Sequence, residues 1–139
     1  MEANGLADLA WNAARLALAL LCAFIAGALV LRWAVKQVPL HGSTRRFVQS
    51  LTVAGGVVGL IPGMLLGMIG GADIGGAFMA IPFQFGLGLP NQLSWFIGMV
   101  LFMVCMTALL ALLGAVAGTC VGYSLWRGVQ IAQNKLGRN

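Results

Sequence analysis

WFIGMVLFMVCMTALLALLGAVAGTCVGY, residues 95–123, runs for 29 positions without a charged side chain. As a helix it rises about 43 Å at 1.5 Å per residue, more than the hydrocarbon thickness of a bilayer. A water-soluble domain of this size cannot hide such a run, because its core is too small a share of its volume. The natural solvent is lipid, and the excess length predicts tilt or an end reaching into the interface.

Two further apolar runs lie upstream. Residues 16–31, LALALLCAFIAGALVL, extend to a helix over 11–33, about 33 Å long. Arg15 sits inside that span, one turn from its start, where a long side chain can snorkel to the interface. The other run starts at Phe47 and continues to residue 71. The fold class expected is an all-α membrane protein, one domain over 1–139, with three transmembrane helices at 11–33, 47–71 and 95–124. Composition agrees: 60% of residues are hydrophobic and 8% charged, where a soluble domain averages about 25% charged.

The four tryptophans check these limits. Trp11 and Trp33 bracket the first span, and Trp95 and Trp126 the third, with Tyr123 beside the latter. Indole prefers the headgroup level, so all four read as interfacial anchors.

Basic residues set the expected orientation. The first connection carries Arg32, Lys36, Arg45 and Arg46, and the tail at 125–139 carries Arg127, Lys135 and Arg138. The second connection has no Lys or Arg, and the stretch before Arg15 has only Glu2 and Asp8 as charges. The positive-inside rule then places the N-terminus outside and the C-terminus in the cytoplasm, in a bacterial inner membrane. The two acids argue against a cleaved signal peptide, although Ala26, Gly27 and Ala28 resemble a cleavage site. The net charge of +5 describes helix ends and not a basic face, so no nucleic-acid partner is expected. Anionic headgroups at the first loop and the tail are the expected ionic partners. The tail's Leu125, Val129, Ala132 and Leu136 keep a three-four helical spacing, a face that suits headgroups or a cytoplasmic partner protein equally.

The most specific feature is in the second span. Gly55, Gly59, Gly63, Gly67, Gly71 and Gly75 recur every four residues. That step holds them on one narrow stripe of a helix. Bare backbone lets another helix approach closely, and in lipid such short-range contact carries association. Gly114, Gly118 and Gly122 repeat the device in the third span, and Ala19, Ala23 and Gly27 in the first. Two uses compete: packing the three helices of one monomer, or offering part of the long stripe to a neighbouring chain. The stripe's length favours the second, since one close crossing needs fewer glycines.

Pro62 lies within the stripe and predicts a kink. Residues 72–94 are apolar but interrupted by Pro82, Pro90, Gly86 and Gly88. They are expected to form a re-entrant or interfacial segment, because non-helical backbone at membrane depth must be buried in protein or line a cavity.

Asp73 is the only acid after residue 8. Either it pairs with Arg15, which lies near the same boundary, or it caps a helix end or faces water. One acid is too little for a proton relay. Cys22, Cys105 and Cys120 form no CxxC and read as small hydrophobes. His41, the sole histidine, reads as a loop residue, because a metal site needs several converging ligands. No phosphate loop, nucleophile elbow or paired carboxylates occur. No enzyme activity, cofactor or metal is therefore expected.

Two function classes remain. The first is a structural subunit of an oligomeric inner-membrane assembly, whether a channel, a secretion or conjugation apparatus, or a filament built from membrane-stored subunits. The second is an accessory scaffold in a larger energy-converting or transport complex. An autonomous transporter fits poorly, since the spans offer almost no polar groups to hold a solute.

Overall fold

The computed structural model describes residues 2–38, 42–85 and 90–137, with side chains described at 5–38, 42–77 and 90–137. Three helices make up the described chain: α1 (Glu2–Lys36), α2 (Ser43–Phe85) and α3 (Asn91–Leu136). All three are long and apolar enough to cross a membrane. The chain is an all-helical protein whose composition calls for a bilayer around it.

The helix ends follow local chemistry. At the end of α1 the last amides tighten to bonds three residues apart, Gln37 to Ala34 at 3.1 Å and Val38 to Val35 at 3.5 Å. Pro39 follows in the sequence, and a residue before proline is disfavoured in the α conformation. Gly42, with φ +78°, takes the left-handed backbone that leads into α2. Pro90 opens α3: its carbonyl accepts the amides of Leu93 at 3.0 Å and Ser94 at 3.1 Å. Its own missing N–H costs nothing at a helix start.

All three helices overrun the spans expected from hydropathy. At 35, 43 and 46 residues they measure about 52, 64 and 69 Å, each longer than a bilayer core. The tail from residue 125 is part of the same helix as the third span. The interrupted segment expected at 72–94 takes a different form where it is described. α2 continues unbroken through Gly75 and Gly76 and through Pro82 to Phe85. Residues 86–89 lie outside the described residues, as does His41. Glycine weakens a helix in water by exposing its backbone to competing solvent. Lipid offers the backbone no such partner, so the intrahelical bond persists. Pro62 likewise lies inside the continuous helix and is exposed.

The core is thin and lies along α3, which touches both other helices. The α2–α3 contact is the most extensive and α1–α2 the least. Ala19 and Ala23 of α1 cluster with Met99 and Met103 of α3.

Candidate helix-packing interface

The six glycines of the four-residue stripe on α2 all face α3. The space beside each is shown by what a methyl group in place of its hydrogen would meet. At Gly75 it would lie 2.8 Å from the Trp95 carbonyl oxygen, at Gly71 3.2 Å from Met99 Cγ, and at Gly67 2.9 Å from Met103 Cα. At Gly63 it would lie 2.9 Å from Thr107 Cα. At Gly59 and Gly55 it would collide with the carbonyl oxygens of Leu110 and Gly114. The two helices run antiparallel with matched four-residue steps, so each glycine meets the next turn of α3.

The glycines of α3 complete the seam. A methyl at Gly114 would strike the Gly55 carbonyl, and one at Gly118 the Leu51 carbonyl. At Gly122 it would lie 3.2 Å from Leu51 Cδ1 and 3.4 Å from Val48 Cα. The two stripes are therefore complementary tapers. Along α3 the facing side chains shrink from Trp95 through Met99, Met103, Thr107 and Ala111 to bare glycine. Along α2 the order reverses, from glycine to Leu51, Thr52 and Val48. Where one helix carries bulk, the other carries none. A repeat of four exceeds the 3.6 residues of a straight helix, so keeping this register calls for right-handed wrapping.

The expectation that part of the six-glycine stripe is left over for a neighbouring chain is not met by this geometry. Every one of the six has α3 within van der Waals reach. The physical reason is the length of α3, which continues far enough to match the whole stripe.

α1 uses its own small residues against the same helix. Ala19 and Ala23 are fully buried, and Leu16, Leu20, Trp95, Phe96 and Val100 pack around their cluster with Met99 and Met103. A methyl at Gly27 would lie 2.9 Å from Leu60 Cδ1 and 3.3 Å from Thr107 Cγ2. Thr107, fully buried, is thus the point where all three helices meet. Its hydroxyl donates to the Met103 carbonyl at 2.7 Å, which satisfies it without leaving its own helix.

One bond between two side chains crosses the α2–α3 seam. Thr52 and Thr119 place their hydroxyl oxygens 2.8 Å apart. Each also lies 2.8 Å from its own helix's carbonyl, Val48 for Thr52 and Ala115 for Thr119. Two hydroxyl protons serve these three contacts. Whichever threonine donates to its carbonyl therefore accepts from the other. At the same end of the bundle, the Gln49 amide donates to the Val35 carbonyl at 3.3 Å and ties α2 to α1.

Arg15 and Asp73 are not brought together as an ion pair among the described residues. The guanidinium carbon of Arg15 lies 4.9 Å from the centre of the Trp11 ring, a cation–π arrangement on its own helix. Asp73 is exposed. It stands two residues from both Gly71 and Gly75, hence on the opposite side of α2 from α3.

The tryptophans behave differently from one another. Trp11 and Trp33 are 60% and 58% exposed, open to an interface. Trp95 is half-buried and donates its indole N–H to the Ala72 carbonyl at 3.3 Å, so it serves the seam as well. Trp126 packs on Tyr123 with ring centres 5.6 Å apart. All three cysteines are free, Cys22 half-buried and the others exposed. Among the described residues no three His, Cys, Asp or Glu side chains converge.

The partner row on α3, Met99, Met103, Thr107 and Ala111, escaped the sequence reading. Its signal was present as a second period-four series, but methionine and threonine do not announce a close crossing as glycine does. The Thr52–Thr119 bond had no signal, because it depends on the register between two helices. The chain matches no protein-family model, and no curated protein or solved structure matches it.

Proposed function

We propose that the chain is a non-enzymatic structural subunit of an oligomeric inner-membrane assembly, of the channel, secretion, conjugation or membrane-stored-filament kind. The observation that carries this reading is the outer surface of the bundle. Large apolar side chains such as Phe24, Leu29, Val58, Ile69, Leu109 and Leu113 stand exposed along all three spans. The threonines inside the second and third spans, Thr52, Thr107 and Thr119, are spent on helix packing. That outward surface can meet lipid or a neighbouring subunit. Association in this proposal uses those outward faces, since α3 already fills the glycine stripe. The N-terminus faces outward and the basic loop and tail face the cytoplasm, where Arg32, Lys36, Arg45, Arg46 and Arg127 meet anionic headgroups.

The internal use of the stripe also favours a second reading, an accessory scaffold for a larger energy-converting or transport complex. The mass of the particle purified in mild detergent after expression of this chain alone tests both. A discrete homo-oligomer supports the first reading. A monomer, or degradation unless a partner is supplied, overturns it and supports the second. Reporter fusions at each terminus test the orientation.

A further inference from the structure

At the end of the bundle where α1 and α3 begin, their seam opens. Trp11, Ala14, Arg15 and Leu18 of α1 face Pro90, Gln92, Leu93 and Phe96 of α3 across a groove of about 470 Å³. That volume is within the range of ligand pockets. Its walls are almost wholly apolar, with Arg15 and Gln92 as the polar exceptions.

The geometry points to this groove as a seat for one anionic phospholipid, its acyl chain between Leu18, Leu93 and Phe96 and its phosphate on Arg15. Charge complementarity selects the headgroup. Arg15 is the only basic side chain before residue 32 and is absent any acid within six residues. Its guanidinium carbon lies 4.9 Å over the Trp11 ring, and a guanidinium holds its N–H donors in its own plane as a fork that fits two phosphate oxygens. The amide of Gln92 lies across the groove to serve a third oxygen. Depth selects an amphiphile over a free anion. Arg15 is one turn inside the interfacial Trp11, so its charge sits at headgroup level while the residues beyond it are within the acyl region. The groove ends deeper in the bundle, where Ala19 and Ala23 close against Met99 and Met103.

Trp11 lines the groove and reports on it. With Trp33, Trp95 and Trp126 replaced by Phe, its fluorescence in nanodiscs is titrated against phosphatidylglycerol or phosphatidylcholine brominated on the acyl chain. One guanidinium at the surface is worth about a fivefold preference for the anionic lipid. That preference is expected in the parent chain, is kept by Arg15→Lys and falls to about one in Arg15→Gln. Equal quenching by both lipids in the parent overturns the proposal and leaves an ordinary lipid-facing wall. No quenching by either also overturns it, because protein then covers the groove. Loss of the preference on adding inorganic phosphate overturns the choice of a lipid and assigns the site to a free anion. Native mass spectrometry of the chain with all four tryptophans gives an independent reading. Arg15→Gln is expected to lose one retained phosphatidylglycerol, and an unchanged count refutes the seat.

Discussion

The α2–α3 seam has two halves that achieve the same closeness by different means. From Gly67 to Gly75, α2 is bare and α3 sets side chains against it beside its own backbone: Met103, Met99 and the Trp95 ring edge, while Gly63 lies against the Thr107 and Met106 main chain. From Gly55 to Gly59, opposite Gly114 and Leu110, backbone meets backbone with little but main-chain atoms between. The first half resembles knobs set into a groove. The second is a contact of two main chains. The difference teaches where the seam tolerates change: a methionine can move, and a carbonyl held in a helix cannot.

The sharpest way to break the comparison is Gly114→Val. Its side chain would meet the Gly55 carbonyl and separate the backbones, with an expected loss of about 3 kcal/mol or more of bundle stability. Unfolding of the purified protein in mixed detergent checks this, and a loss below that of Gly71→Ala would refute the distinction. Met103→Ala ranks next. Met103 is fully buried between the α1 and α2 contacts, so truncation leaves a cavity at a cost of about 2 kcal/mol in the same assay. Gly71→Ala is the milder counterpart. Its methyl would stand 3.2 Å from Met99 Cγ, which can swing aside, so a change of about 1 kcal/mol or less is expected. The smallest effect belongs to the threonine pair. A double-mutant cycle of Thr52→Val and Thr119→Val is expected to give a coupling of about 0.6 kcal/mol, the usual value for such bonds in membranes. A coupling of zero would mean that each hydroxyl is satisfied by its own helix.

The α1–α3 seam shows how much was legible from residues alone. Ala19, Ala23 and Gly27 stand out as a small-residue stripe, and their burial follows from it. The seat of Arg15 did not follow. Its charge and depth suggested a partner of opposite sign, and Asp73 was the one acid within reach of that level. Helix phase decides otherwise: Asp73 points away from α3 while Arg15 lies along it. The interruption expected at 72–94 is not seen over 72–85, which is helical, for a related reason. Glycine and proline were weighed by their behaviour in water, whereas helix persistence here is governed by a solvent that cannot replace a lost hydrogen bond.

By itself the sequence determined the number of spans, their all-helical nature and the small-residue stripes. These depend on one chain in contact with one solvent: hydrophobic length against bilayer thickness, and side-chain volume against helical period. Only the tertiary structure decided which stripe lies on which, that α3 consumes the whole glycine series, and where the bundle opens into a groove. Those outcomes depend on register between helices. Register comes from the reciprocal taper of two surfaces, a property of pairs of residues dozens of positions apart that neither helix carries alone.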